Sequence, residues 1–313
     1  MIPRIDIGIA CSAHQTPSWW GTVFTHLLRE VSRGTFDMGQ LFAHQSAMPD
    51  GNKNNTIGGV LIDENLKGRN DKTDVNRQAI TGYFLEGGET GAKADYIFWI
   101  DDDTVFMDGA ISRLLRLDKP IAAGLYFNNN PPYNPIAYHK LDNGGYKPLW
   151  DYPPGALMEI DVVGMGCTLI HRSVYEKIVA EHTVFQRPNA SLVPIHKSQI
   201  HATGQGPTFG ETFGSEKEQV IDSYLIQRIV KPDLNPDPKE HPRFFPFYVM
   251  EQGRTEDMWF CELAANVGIK PWLDTSVVCE HWKHKPTGYE DYRQEVVRRE
   301  IIGSADEPEV QIL

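Results

Sequence analysis

The sequence predicts an α/β fold, a mixed central sheet flanked by helices, and three observations carry the prediction. Strand-like and helix-like stretches alternate through the first 125 residues, the order that builds a mostly parallel sheet with helices on both faces. Tyr96-Ile-Phe-Trp-Ile100 is apolar throughout, as befits a strand buried on both sides. That run stops abruptly at Asp101-Asp102-Asp103, three carboxylates that must emerge at the strand's carboxyl end.

Arg4–Ala10 alternates apolar and polar residues and reads as the first strand. Ser18–Ser32 reads as a helix, with Trp20, Val23, Phe24, Leu27, Leu28 and Val31 at helical spacing and Ser18 as its N-cap. Met38–Ala43 is a second strand, and residues 46–72 form a long polar loop with a short strand near Val60. Asp74–Leu85 and Asp108–Leu115 read as helices on either side of the Tyr96–Ile100 strand, and Ile121–Leu125 as another strand. In the second half, Ile136–Lys140 and Tyr146–Leu149 flank Asp142-Asn143-Gly144-Gly145 as a hairpin. Glu159–Val163 and Cys167–His171 are strands separated by Gly164-Met165-Gly166, and Ser173–Ala180 is a helix. Residues 186–214 and 231–247 read as loops around a helix near Glu216–Ile229. Thr255–Val267 is a helix capped by Thr255 and stopped at Gly268. Lys270–Leu273 and Ser276–Cys279 are extended, Tyr289–Ile302 is a terminal helix, and the last ten residues form an acidic frayed end.

Composition narrows the classes. A hydrophobic fraction of 41% and a charged fraction of 23% are those of a soluble globular protein. No run approaches the roughly 20 apolar residues of a membrane span, and the first residues lack a signal-peptide pattern. Cys11, Cys167, Cys261 and Cys279 are far apart, which argues for reduced, buried thiols in a cytoplasmic protein and against zinc. A net charge of −12 argues against a polyanionic partner unless a local basic patch exists. His281, Lys283, His284 and Lys285 form one candidate patch, and Arg293, Arg298 and Arg299 another.

Four features can carry chemistry. Asp101 and Asp103 point the same way if strand geometry continues past Ile100. Such a pair suits a hard divalent ion shared with phosphate oxygens, at the strand end where open α/β sheets bind ligands; the alternative is a solvated acidic turn. Thr255-Glu256-Asp257 places two carboxylates in the first turn of a helix, a position for a catalytic base or for ordinary helix-terminal charge. The apolar Met258-Trp-Phe-Cys261 that follows argues for a buried helix with its carboxylates facing a cleft. His281, after a strand, can supply an imidazole to the ion at Asp103, with His284 as the second choice, and Arg77 suits a phosphate or carboxylate. Gly164-Met165-Gly166 lets backbone approach something closely, but there is no dinucleotide, Walker or Gly-x-Ser-x-Gly pattern.

Taken in order, these stretches resemble the GT-A glycosyltransferases, the Rossmann-like nucleotide-diphospho-sugar transferases, and especially the family 2-like group. The likeness rests on Arg4–Ser12, Tyr96–Phe106, Asp161–Arg172, and Thr255–Phe260 with Asp274–His281, and spans roughly residues 4–282. It implies one catalytic domain over residues 1–285. Residues 1–127 would be the nucleotide-sugar half, residues 128–285 the acceptor half with an insertion at about 186–250, and residues 286–313 a terminal helix and tail. It implies a nucleotide-sugar donor, a UDP-sugar, and Mn²⁺ or Mg²⁺. Asp103, Asp101 and His281 would hold the metal, with Asp101 or Asp102 near the ribose. Ala10, Cys11, Ser12 and Arg77 would lie along the nucleotide, and Gly164 and Met165 would line the sugar and acceptor pocket. Asp257 would deprotonate the acceptor hydroxyl in an inverting displacement, with Glu256 beside it.

The chain departs from the family in lacking a proline after the first strand and an evident acidic residue that reads uracil. The inserted His196, Lys197, His201, Arg243, Phe244, Phe245 and Phe247 form either an acceptor cover or a structural insertion. The acceptor can be a glycan, a lipid-linked sugar, a protein or, as in phage-type enzymes, a hydroxymethylated DNA base flipped from its stack. That range matches a bacterial or phage-infected cytoplasm. A sugar-phosphate nucleotidyltransferase and a non-catalytic nucleotide-sugar-binding module are the remaining alternatives.

Overall fold

The strand that carries the acidic run has Ile97, Phe98, Trp99 and Ile100 fully buried, because helices cover the sheet on both faces. The computed structural model describes residues 2–10, 17–44, 56–57, 60–61, 73–128, 131–186, 192–196, 245–250, 254–282, 286–287, 289, 292–293 and 296. The elements in chain order are β1 (Arg4–Ala10), α1 (Pro17–Ser32), β2 (Asp37–His44), β3 (Thr56–Ile57), β4 (Val60–Leu61), α2 (Thr73–Glu86), β5 (Tyr96–Asp101) and β6 (Thr104–Val105). There follow α3 (Ala110–Arg116), β7 (Ile121–Leu125), β8 (Ala137–Lys140), β9 (Tyr146–Pro148), β10 (Leu157–Glu159), β11 (Val162–Val163), β12 (Cys167–His171) and α4 (Arg172–Glu181). The last are β13 (His182–Gln186), β14 (Leu192–His196), α5 (Glu256–Asn266), β15 (Trp272–Val278), β16 (Glu280–Trp282) and β17 (Pro286–Thr287).

The central sheet has seven strands in the order β10-β15-β7-β12-β5-β1-β2. β2, β1 and β5 run parallel, as do β7 and β15. β12 lies antiparallel between β5 and β7, and β10 antiparallel at one edge, so the sheet is mixed. The alternation of β5 sorts the core into two layers. Ile97 and Trp99 face α2, α4 and α5, where Ile80, Phe84, Tyr175 and Phe260 pack. Phe98 and Ile100 face α1 and α3, where Trp19, Val23, Leu27 and Leu114 pack.

Several details depart from the sequence expectation. Helix α1 begins at Pro17, a favoured first helical residue, so Ser18 lies inside the helix. The predicted Glu159–Val163 strand divides, with β10 joining the central sheet and β11 the small sheet β11-β8-β9. The two segments expected around residues 270–279 are one strand, β15, with an irregular register between Asp274 and Val278. Part of the predicted 186–214 loop is instead a strand, β14, paired with β13. Phe247 is buried against Tyr175, and Phe245 is buried against Phe247, so both belong to the core rather than to an acceptor cover. The helix expected near Glu216–Ile229, and the residues Lys197, His201, Arg243, Phe244, Lys283, His284, Lys285, Arg298 and Arg299, lie outside the described residues.

The thiols of Cys167, Cys261 and Cys279 are free and buried, while Cys11 lies outside the described residues. Tyr292 stacks on Phe127, Trp150 and Tyr152, so the terminal segment packs on the main body at that point. Among the described residues no helix is long and apolar enough to cross a membrane.

Two buried charged side chains hold helix ends. Glu30 of α1 accepts from the backbone N–H groups of Ile111 and Ser112 at 3.0 and 3.3 Å and from Ser112 Oγ at 2.6 Å. It thereby caps the first turn of α3, whose own N-cap is Gly109 without a side chain to do so. Arg172 donates to the Phe84, Leu85 and Ala94 carbonyls and closes the end of α2.

Candidate active site

The acidic turn after β5 is clamped from two sides. Trp19 Nε1 of α1 donates to the Thr104 carbonyl at 2.9 Å, and the His26 ring bonds the Phe106 carbonyl. From the other side β16 pairs with β6, His281 opposite Thr104, and the Trp282 N–H donates to the Asp103 carbonyl. This pairing brings His281 Nε2 to 2.9 Å from Asp103 Oδ2. The His281 Nδ1 lies 2.9 Å from the Phe127 carbonyl, a contact in which the nitrogen donates. Burial works against a charged His281, but the hydrogen bond and charge of Asp103 outweigh it and set its pKa above the ordinary value.

Asp101 and Asp103 meet different partners. The strand ends at Asp101, and Asp102 and Asp103 form a turn, so the alternation assumed from the sequence stops one residue too early. Asp101 Oδ1 lies 2.5 Å from Arg77 Nη2, while Asp103 meets His281. Asp102 is buried in the turn.

Arg77 is the pivot of the site. It projects from α2, is 1% exposed, and lies over the Trp99 ring at 5.5 Å. Its Nε lies 3.4 Å from Glu256 Oε1 and 3.7 Å from Asp257 Oδ1. Both carboxylates occupy the first turn of α5, whose cap is the Thr255 hydroxyl accepting from the Met258 N–H. Three carboxylates from β5 and α5 thus share one guanidinium. Burial opposes the charge of Arg77, but Asp101, Asp257 and Glu256 together hold its pKa well above the usual value. Burial, then the charges of Glu256 and Asp101, push Asp257 well above the carboxylate range, with Arg77 and the Met165 N–H only partly offsetting them. Glu256 is raised too, mainly by burial. Among the described residues, Arg77 Nη1 and Asp257 Oδ1 are buried polar atoms without a hydrogen-bond partner. A buried orphan of this kind calls for an explanation such as a ligand or water.

The glycine turn supplies the close approach. A Cβ at Gly166 would sit 2.8 Å from the Tyr126 ring and 2.9 Å from Asp101 Oδ2, and one at Gly164 would sit 2.1 Å from the Tyr126 hydroxyl. The Gly166 N–H donates to that hydroxyl at 3.0 Å. The Met165 side chain is fully buried in the core, so its contribution to the site is the N–H offered to Asp257. Ala10, at the carboxyl end of β1, pairs with Asp101; Cys11 and Ser12 lie outside the described residues.

The chain order reverses between β1 and β5, and Ala10 and Asp101 lie at the carboxyl ends of those strands, the place where open α/β sheets in general bind ligands. Tyr126 and Tyr248 also belong to this neighbourhood. Burial raises both phenols, and the charge of Asp257 adds to it. Tyr126, one residue beyond the carboxyl end of β7, had a positional signal in the sequence; Tyr248 had none.

A divalent metal is the group the sequence resemblance implies. Among the described residues no three His, Cys, Asp or Glu side chains converge as a metal cluster. Two do come together. Adjacent donors around an octahedral ion with bonds of ~2.1 Å are about 3 Å apart, and Asp103 Oδ2 and His281 Nε2 have that separation. The His281 bond to a carbonyl through its other nitrogen is the usual support of a metal-ligating imidazole. The pair fits a site that phosphate oxygens would complete, as Mg²⁺-like ions prefer.

No known protein family's sequence pattern matches the chain, and no curated protein matches it. Among solved structures it is similar to A197 from STIV, at 11% identity and a TM-score of 0.38, over 90% of this chain and 85% of that one. It is also similar to GalNAc-T7, solved with UDP, GalNAc and Mn²⁺, at 9% identity and a TM-score of 0.37, over 95% of this chain and 48% of that one. At those scores neither likeness decides the function of this chain.

Proposed function

We propose that the chain is a GT-A-type glycosyltransferase that moves a sugar from a nucleotide-sugar, a UDP-sugar, to an acceptor hydroxyl with inversion. The observation that carries this reading is the gathering of Asp101, Glu256 and Asp257 on the buried Arg77, at the carboxyl end of the central strands. A solvated acidic turn would have no reason to bury an arginine among three carboxylates from distant parts of the chain.

Asp257, poised above the usual carboxylate range, takes the proton of the acceptor hydroxyl as that oxygen bonds to the anomeric carbon and the bond to the diphosphate breaks. Arg77, braced by Glu256 and Asp101, holds Asp257 in place. Asp103 and His281 would hold Mn²⁺ or Mg²⁺, which would supply charge stabilisation for the leaving diphosphate. Ala10, with Cys11 and Ser12 following, borders the nucleotide, and the turn at Gly164 and Met165 borders the transferred sugar.

The test is incubation with a panel of nucleotide-sugars and Mn²⁺, following release of the nucleoside diphosphate by chromatography. One donor should be turned over by the wild type and not by Asp257→Asn. Turnover that survives Asp257→Asn would remove the base assignment, and no turnover of any donor would remove the reading.

A further inference from the structure

Asp257 needs something to hold the attacking hydroxyl in line, and the roles above leave that task unfilled. The small sheet lies against the helix that carries Asp257. Its central strand β8 pairs with β11 through Tyr138 and Val162, and with β9 through Tyr138 and Pro148. Tyr138 and Lys140 are two residues apart on β8 and therefore share a face. Lys140 Nζ reaches Glu262 Oε1 of α5 at 3.0 Å, and Tyr146, opposite Lys140 in the hairpin, bonds the same oxygen. That face is thus turned towards α5. The Cys261 Sγ contact to the Val163 carbonyl, 3.7 Å, holds the helix on the neighbouring strand.

Lys140 lies at Glu262, five positions along α5 from Asp257. From Lys140 towards Ile136 the strand runs beside Val162, Val163 and Gly164, and the next residue, Met165, offers its N–H to Asp257, so Tyr138 lies nearer the acidic first turn than Lys140 does. Tyr138 is only half-buried, and among the described residues its hydroxyl has no partner. On α5, Asp257 Oδ1 is a buried acceptor without a hydrogen-bond partner.

We infer that Tyr138 is a further catalytic residue, whose hydroxyl donates a hydrogen bond to the acceptor oxygen while Asp257 Oδ1 accepts that oxygen's proton. The solvent-facing phenol and the orphaned carboxylate oxygen then become a two-point clamp for an alcohol, with the acceptor entering over β8 and β9. The inference rests on the transferase reading. As the acceptor O–H breaks and the new bond to the anomeric carbon forms, the proton goes to Asp257 and the nucleoside diphosphate leaves. The phenol steadies negative charge building on the attacking oxygen, the work of an oxyanion donor.

Two measurements test it. The first needs no acceptor, because water takes its place in the slow hydrolysis of the nucleotide-sugar that the panel identifies. Tyr138→Phe keeps the ring and its packing. It should lower kcat about 100- to 1000-fold, as loss of one such donor does, with donor affinity and Tm unchanged. Hydrolysis at the wild-type rate, or a loss of activity that follows a loss of Tm, overturns the inference.

The second measurement places 3-fluorotyrosine at position 138 and follows its ionisation by fluorine NMR. Burial and the charge of Asp257 push the Tyr138 phenol up to about 12. Asp257→Asn should therefore lower the pKa of the fluorinated phenol, and an unchanged titration overturns the placement. If no nucleotide-sugar is hydrolysed by the wild type, the transferase reading fails separately, and the titration still decides whether Tyr138 faces Asp257.

Discussion

Arg77 Nη2 lies 2.5 Å from Asp101 Oδ1, tying helix α2 to the last residue of the central strand 24 positions later. The same guanidinium reaches Glu256 and Asp257, so one buried cation sets the geometry of three carboxylates. The strongest expectations concern this cluster.

Arg77→Met removes the guanidinium that offsets Asp101, Glu256 and Asp257. Breaking a buried pair by removing one partner typically costs about 3–5 kcal/mol. Urea unfolding at pH 7 should show a loss of that size, shrinking at acid pH where the carboxylates gain protons. Arg77→Lys should not restore activity, because an ammonium cannot span Asp101 and Glu256 as a guanidinium fork does.

Asp257→Asn should separate stability from chemistry. The native state raises the pKa of Asp257. Below the unfolded value near 3.9 the group carries a proton in both states. As pH rises through the raised native value, the native state alone must give up a favoured proton, so stability falls across that window. The Asn variant should lose that slope and be more stable than wild type at neutral pH, while turnover drops about 10²- to 10⁴-fold. Unfolding curves over a pH series, alongside product assays, check both halves.

His281 and Asp103 should govern metal affinity. The hydrogen bond and charge of Asp103 raise the His281 pKa against the effect of burial. Its ion pair therefore stabilises the fold fully below the unfolded value near 6.5 and loses that contribution as pH rises through the native value. Mn²⁺ competes with the same proton, so its affinity should increase with pH over this window. Asp103→Asn and His281→Ala should each weaken Mn²⁺ binding in the presence of UDP by at least about tenfold. Calorimetry at several pH values measures both effects.

Gly166→Ala should damage the site from the backbone side. The added methyl would meet the Tyr126 ring, Asp101 Oδ2 and Thr104 Oγ1, the last at 3.0 Å. Activity should fall with a modest drop in Tm. Glu30→Ala is the contrasting control. It strips the cap from α3 and should cost about 1–3 kcal/mol, with donor affinity of the folded protein unchanged.

The alternation of buried strands and amphipathic helices was legible in the residues because it depends on local period alone. Tyr96–Asp101 and Thr255–Val267 announce themselves by apolar runs and end signals. The antiparallel insertion of β12 between β5 and β7 was not, since strand direction depends on where the connecting chain returns. At the site, the carboxylates stood out as charge at the ends of buried elements. Their partners did not, because the strand ends at Asp101 and the turn at Asp102 and Asp103 gives Asp101 to Arg77 and Asp103 to His281. Arg77 looked like any helical arginine, and only the packing of α2 against β5 and α5 makes it the centre. Phe245 and Phe247 sit among prolines and charges in sequence, which hides their place in the core.

The most direct measurement is calorimetric titration of the wild-type protein with UDP, with and without Mn²⁺, repeated for Asp103→Asn and Arg77→Met. Saturable binding that requires Mn²⁺, is lost in Asp103→Asn and is impaired in Arg77→Met is the expected result. Binding of UDP that is indifferent to Mn²⁺ and to Asp103→Asn, or no binding by the wild type, would contradict a nucleotide-sugar site at the end of β5.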